Sequence, residues 1–371
     1  MKYFYADSLQ DYFACIEKIK TDILKRYKNE GQTAYSDTKP PILWYRALSN
    51  VAHSLIPGLY RGETRTEPGL SGRYSRLHAA EDARMQHYIA KNYHSFSLKP
   101  SSRLEWLEVM QHHGMDTRIM DWSESSVHSL IFALGAFIDI LEQVNDDRQT
   151  SVPCVWVMDP GGLNKHIFQQ ISGDSVLLEA LLEVLKLSPA ESEEIKGRLQ
   201  ELKNVFIDGG NAFGAADVKH LEYIVNLSAI NDDYARNLPM IKNMLLYGEG
   251  ISIIYYLLIR IYSEGHILDE RILPPLSIVN PYHTDRIRVQ KGVFSVFPFY
   301  REQPSDKALR NLGISPDAME NNAIARKYLY KIILMCPQRI AAQALSNGMD
   351  GTWLYPEPAA IVNSIRNHMV K

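Results

Sequence analysis

Gln111-His112-His113-Gly114-Met115-Asp116-Thr117-Arg118-Ile119-Met120-Asp121-Trp122 gathers two imidazoles, a guanidinium, two carboxylates, an amide and a hydroxyl into twelve residues. The run leads straight into an apolar segment. Its polar groups must therefore reach solvent or pair, because an unpartnered buried polar group is costly. A site is the economical account, and the chemistry on offer is anion binding and proton transfer. Imidazole as a group titrates near neutrality, so His112 or His113 can serve as general base or hydrogen-bond donor. Adjacent side chains point in different directions, so one histidine is expected at a site and the other in a structural bond. Arg118 and Asp121, three apart, can form a mutual ion pair that orients the turn, or the aspartate can hold the arginine toward a phosphate. Trp122 offers an aromatic plane to a base, or packing at the start of a core helix.

Arg46, at the end of the apolar Ile42-Leu43-Trp44-Tyr45, carries a planar fork suited to a pyrophosphate or a carboxylate. An ion pair with an acidic neighbour is an equally good account. A helix opening near Ser125 would add free backbone N–H groups and a positive dipole end, so Arg46, Arg118 and that helix together predict an anionic ligand. Gln290 can position a hydroxyl but cannot act as a carboxylate; any chemistry that needs one would draw on Asp285, Asp121 or Glu124, or the chain binds without catalysing. His283 and Asp285 sit at no reliable zinc spacing, so no metal is expected. Ser54, Ser123 and Ser126 lack a nucleophile-elbow context. Arg61, Arg65, Arg73, Arg76 and Arg84 form a basic patch that would suit nucleic acid or a partner protein.

The elements that position these residues follow from periodicity. Apolar residues from Ser8 to Tyr27 fall on one helical face, and Leu77–Tyr93, Leu104–Met110 and Val127 to about residue 143 also read as helices. Strands are expected at Ile42–Tyr45, Cys154–Met158, Ile272–Val279, Arg286–Val289, Val293–Phe297 and Tyr328–Met335, with a closing helix over Gln338–Ser346 stopped by Gly348. Residues 163–250 read as a helical insertion. Within it, Ser188-Pro189-Ala190-Glu191 is a capping box, and Leu177–Leu187 is leucine-rich.

At 371 residues, 46% hydrophobic and 22% charged, the chain can bury a large core. A net charge of -3 supplies no global cationic field. Cys15, Cys154 and Cys336 are odd in number and far apart, which argues against a disulfide framework and fits a cytoplasmic location. Met1–Asp7 lacks a signal-peptide layout, and the apolar run Ile251–Ile259 is too short to span a bilayer, so no membrane association is expected.

Several ordered segments resemble the FRG domain family, a largely prokaryotic group. Trp44-Tyr45-Arg46-Ala47 matches its aromatic-aromatic-Arg-Gly signature, and Leu55-Ile56-Pro57-Gly58-Leu59-Tyr60-Arg61 its Leu-x-Pro segment. Gln111-His112-His113-Gly114 with Thr117 to Ser123 matches the central Gln-His-x-Gly-x-Pro-Thr-Arg-Leu-Leu-Asp-Trp-Thr. Arg286-Ile287, Gln290, Gly292 and Phe294 resemble Arg-Ile-x-x-Gln-x-Gly-x-Phe, and Leu345–Tyr355 the closing segment. Ala47 replaces the signature glycine and Asp116 the usual proline, which puts local geometry in question.

The resemblance implies a single FRG-type domain over 1–371 and, by analogy, an α+β, ADP-ribosyltransferase-like split β-sheet core surrounded by helices. It further implies a nucleotide ligand, NAD as cofactor, and ADP-ribosyl transfer or NAD hydrolysis in a toxin or antiviral defence setting. On that reading His113, Asp121 and Gln290 are catalytic, while Tyr45, Arg46, His112, Thr117 and Arg118 hold the cofactor. The acceptor would be a nucleic acid or a protein. The alternative is a non-catalytic module recognising nucleic acid or protein. A third account makes the polar run a structural hydrogen-bond network and puts the function in the helical insertion.

Overall fold

The computed structural model describes residues 1–30, 40–61, 73–95, 103–141, 151–172, 188–207, 273–278, 285–298 and 318–350, together with Pro100 and Tyr262. Among the described residues seven strands form one mixed sheet: β1 (Lys2–Ala6), β2 (Trp44–Leu48), β3 (Ile119–Ser123), β4 (Cys154–Met158), β5 (Leu276–Ile278), β6 (Gly292–Val296) and β7 (Leu329–Leu334). Their order is β1-β7-β4-β2-β3-β6-β5. Only β1 and β7 run parallel, and every other neighbouring pair is antiparallel. The described helices are α1 (Leu9–Asn29), α2 (Arg73–Asn92), α3 (Arg103–His112), α4 (Ser126–Leu141), α5 (Pro160–Ser172), α6 (Pro189–Ile207), α7 (Asp285–Val289) and α8 (Pro337–Ser346).

Both faces of the sheet are covered, which is why β4 reads as a continuous apolar run rather than an alternating one. Val155 and Val157 face one side with Tyr45 and Ile332, under α1, α4 and α8. Trp156 and Met158 face the other with Trp44, Met120 and Trp122, under α3 and α5. In α1 the predicted stripe is buried at Tyr12, Ile16, Ile19, Ile23 and Tyr27, and the Ser8 hydroxyl accepts from the Asp11 N–H at 3.1 Å as an N-cap. The predicted box at α6 closes: Glu191 accepts from the Ser188 N–H at 2.8 Å.

Several expectations change. β1 occupies a stretch noted in the sequence only for lacking a signal-peptide layout; it is an edge strand of five residues with Tyr3 and Tyr5 exposed, too short for its alternation to stand out. Arg46 lies inside β2, not at its end. The polar run contains β3, whose pairing with β6 overrides its polar composition. Arg286–Val289, expected as a strand, belongs to helix α7, and the strands expected over Ile272–Val279 and Val293–Phe297 are β5 and β6. Most of 163–250, including Leu177–Leu187, lies outside the described residues.

Two ion pairs, one half-buried at its arginine and one fully buried, pin these layers. Arg26 donates to Asp159, which also accepts from the Tyr27 hydroxyl at 2.8 Å and from the Gly162 N–H at 3.0 Å, fastening α1 to the start of α5. Arg118 and Glu81 are both fully buried. Arg118 Nη1 donates to the Glu81 carboxylate, Nη2 to the Tyr262 carbonyl at 2.7 Å and Nε to the Phe297 carbonyl at 3.1 Å, while its own N–H donates to Glu81 at 2.9 Å. Removing one member strands a charge in the core. Glu81→Gln should therefore lower unfolding free energy by about 3–5 kcal/mol, read from urea denaturation. A loss below about 1 kcal/mol, the size of an ordinary hydrogen bond, would show that Arg118 finds another partner or water.

Candidate functional site

The sheet nearly parts between β2 and β3. Their ladder consists of a single pair, Tyr45 with Ser123, whereas β2 and β4 share five. Beyond that pair the strands separate, and a cleft of about 480 Å³ opens along Arg46, Ala47 and Leu48 on one side and Asp121 and Trp122 on the other. Strand separation strands backbone acceptors, and Arg46 takes one of them: its Nη1 donates to the Asp121 carbonyl at 2.5 Å and stands 3.9 Å from the Asp121 carboxylate. Arg46 Nε is buried and has no partner among the described residues. Burial lowers the guanidinium pKa, and Asp121 opposes that shift.

Asp121 is held from the other direction by Gln111, whose amide Nε2 donates at 2.6 Å; Thr117 in turn donates its hydroxyl to Gln111 Oε1. The chain Thr117–Gln111–Asp121 thus orients a carboxylate that is itself exposed on β3. The far wall comes from the turn between α7 and β6. Ser123 donates to the Gln290 carbonyl at 2.6 Å and the Glu124 N–H to the Lys291 carbonyl at 3.0 Å, which sets Gln290 against the cleft. Lys291 adopts a φ of 49°, and a side chain at Gly292 would press on Ile287 at 2.9 Å. This turn therefore needs its glycine. Burial pushes the Glu124 carboxyl up, with Lys291 opposing.

The eight residues singled out from sequence separate into two groups. Tyr45, Arg46, His112, Asp121 and Gln290 line the cleft together. His113, Thr117 and Arg118 do not. His113 Nδ1 lies 2.8 Å from the Tyr88 hydroxyl and 2.9 Å from the Val109 carbonyl, with its ring against the edge of His112. The pair of adjacent histidines does divide into one at the cleft and one in a structural bond, but His112 is the one at the cleft. Thr117 is fully buried and reaches the cleft only through Gln111. Arg118 spends its donors on Glu81, Phe297 and Tyr262, so neither the expected Arg118–Asp121 pair nor the three-part anion site with the α4 N-terminus forms as predicted. Side chains of Asp285 and Arg286, and all of His283, lie outside what is described.

The cleft also holds Phe294 of the late motif and residues that sequence reasoning passed over: His53, Glu108, Ser129 and Phe132. Glu108 is 1% exposed, on a helix whose residues 104–110 are all buried. A glutamate flanked by Leu104, Leu107, Val109 and Met110 was the available signal. Trp122 borders the cleft but is chiefly structural, its indole N–H donating to Ser295 Oγ at 2.9 Å.

The two departures from the FRG pattern acquire physical content. Ala47 is in regular strand, paired with Val155, and needs no positive φ. Asp116 is exposed and its loop is held by close packing on Gly58, where an added Cβ would meet Asp116 Oδ1 at 2.6 Å, and by the Leu59 N–H donating to the Thr117 carbonyl at 3.0 Å. Restoring the signature glycine should therefore harm rather than help. Ala47→Gly is expected to cost about 0.5–1 kcal/mol in denaturant unfolding, the cost of glycine inside a strand; a stabilised variant would reveal strain at Ala47.

Comparison of the chain with curated proteins and with solved structures gave no match. The family model of the FRG domain matches residues 42–137. That span contains β2, α2, α3, β3 and most of α4, hence Arg46, Gln111, His112 and Asp121, whereas Gln290, Gly292 and Phe294 lie beyond it. Among the described residues no helix is long and apolar enough to cross a membrane. Within the span that matches the FRG domain model, the aromatic-Arg strand and the Gln-His-to-Asp-Trp segment form two walls of one cleft.

Proposed function

We propose that the cleft between β2 and β3 binds an anionic nucleotide and cleaves the nicotinamide glycosidic bond of NAD, passing the ADP-ribosyl group to water or to an acceptor. The observation that carries this reading is Arg46. Its buried Nε has no partner among the described residues, and it faces an oriented carboxylate across a cleft walled by Tyr45, Phe132 and Phe294. A guanidinium with donors to spare suits a pyrophosphate. Aromatic walls suit the base and the nicotinamide ring.

In the reaction the bond from ribose C1′ to the nicotinamide nitrogen breaks and its electrons leave with nicotinamide, which departs neutral. Positive charge develops on the ribosyl ring, and the Asp121 carboxylate, steadied by Gln111 and Arg46, stabilises it electrostatically. Water or the acceptor then adds at C1′ and gives its proton to His112, the histidine at the cleft. Gln290 orients a ribose hydroxyl. Glu108, buried at the cleft, is the second carboxylate available. Depletion of NAD would make such a protein toxic to its host, which suits a toxin or antiviral defence setting.

Purified protein incubated with NAD should release nicotinamide, followed by chromatography, with NAD binding followed by calorimetry. Asp121→Asn is expected to keep binding and lose about 10²–10³-fold in release rate, as for removal of a preorganised electrostatic group. Arg46→Ala should weaken binding about tenfold or more, as for loss of a charged hydrogen bond. Absence of both binding and release in the wild-type protein would overturn the proposal.

A further inference from the structure

The C-terminal half of α2 carries a second concavity, of about 470 Å³, lined by Arg84, His87, Tyr88, Lys91, Asn92 and Met115 among others. It shares no lining residue with the β2–β3 cleft. Arg84, His87 and Lys91 recur at steps of three and four residues, which places them on one face of the helix. At about 1.5 Å of rise per residue the two terminal cations are separated by about 10 Å along the axis.

Among its described lining residues the groove carries cations and no carboxylate. The sequence holds no aspartate or glutamate between Asp82 and Glu105. The carboxylates just before it are taken: Asp82 pairs with Arg103 and Glu81 with Arg118. Next to the groove, Tyr93 is 41% exposed, and its ring stacks on Trp106 at 6.4 Å and 27°. Tyr88 meets the same Trp106 edge-on at 6.4 Å. Trp106 is buried, so the exposed Tyr93 ring is backed by a fixed partner.

The geometry points to this groove as a binding site for single-stranded nucleic acid, with Arg84 and Lys91 engaging two phosphates of one strand and Tyr93 stacking a base. Cationic track and aromatic platform are the two parts such sites combine. A duplex keeps its bases stacked away from a ring such as Tyr93. A flat lipid surface does not enter a concavity on a helix flank.

The test is fluorescence anisotropy of a short labelled oligothymidine or oligouridine against a salt series. Wild-type protein should bind at low salt. Arg84→Gln with Lys91→Gln should lower the magnitude of the log–log salt slope by about 1.4, two phosphates at about 0.7 each for a single strand. Tyr93→Ala should weaken binding about fivefold or more without altering that slope. Arg46→Ala should bind the oligonucleotide as wild type does, which separates this site from the nucleotide cleft. Lys91 is exposed, so Lys91→Gln alone, checked for an unchanged thermal melt, covers failure of the double variant to fold. No oligonucleotide binding by the wild type, an unchanged slope in folded variants, or capture of anionic phosphatidylserine vesicles in place of the oligonucleotide would each overturn the assignment.

Discussion

The interaction on which the site depends is the bond from Arg46 to the Asp121 carbonyl. Hydrogen bonding across a sheet normally closes every gap between neighbouring strands, since unpaired backbone groups are costly when shielded from water. Here β2 and β3 make one paired position and then diverge. The arginine substitutes for part of the missing ladder, and it does so with a side chain that has further donors. One residue thus both holds two halves of the sheet together and equips the opening between them with charge. A lysine could take the carbonyl but could not leave a planar set of N–H groups behind.

Rigidity of the opening comes from behind β3. Arg118 immediately precedes the strand and is locked by Glu81 of α2 and by the carbonyls of Phe297 and Tyr262, while the Phe297 N–H returns a bond to the Arg118 carbonyl at 3.2 Å. This arrangement is expensive to form, because two charges leave water, and its geometry admits few alternatives once formed. Three residues later Asp121 projects into the cleft. The position of its carboxylate is therefore set by a buried network at one end of a five-residue strand and by Gln111 from α3.

How much of this could be read from sequence depends on which physical quantity decided each element. The α1 stripe, the β4 run and the α6 capping box rest on local periodicity and spacing, and each is found where those signals put it. Residue type pointed to Arg46, Asp121, His112 and Gln290 as groups with chemistry, and they share one cleft. Residue type could not tell Arg118 from Arg46, because a guanidinium serves equally well against Glu81 in the core and against an anion at the surface. The difference is set by α2, dozens of residues away. For His112 and His113 the helical rotation between neighbours decided, and it depends on where α3 ends. For α7, five residues with apolar Ile287 and Val289 two apart imitate a strand, and only the tight Lys291-Gly292 turn into β6 distinguishes it.

The matched FRG span supplies two walls of the cleft but not the third. Gln290, Gly292 and Phe294 arrive from more than a hundred residues downstream, and they are bound to β3 by the Ser123 and Glu124 contacts and by the full β3–β6 ladder. Since β3 pairs with β6 at five positions and with β2 at one, β3 is mechanically part of the β6 side. The cleft is then a seam between two sheet halves, β1-β7-β4-β2 and β3-β6-β5, crossed by Arg46. A ligand that takes up the remaining donors of Arg46 while touching Asp121 would contact both halves at their weakest junction, so binding there would reinforce the sheet itself as well as fill the cleft.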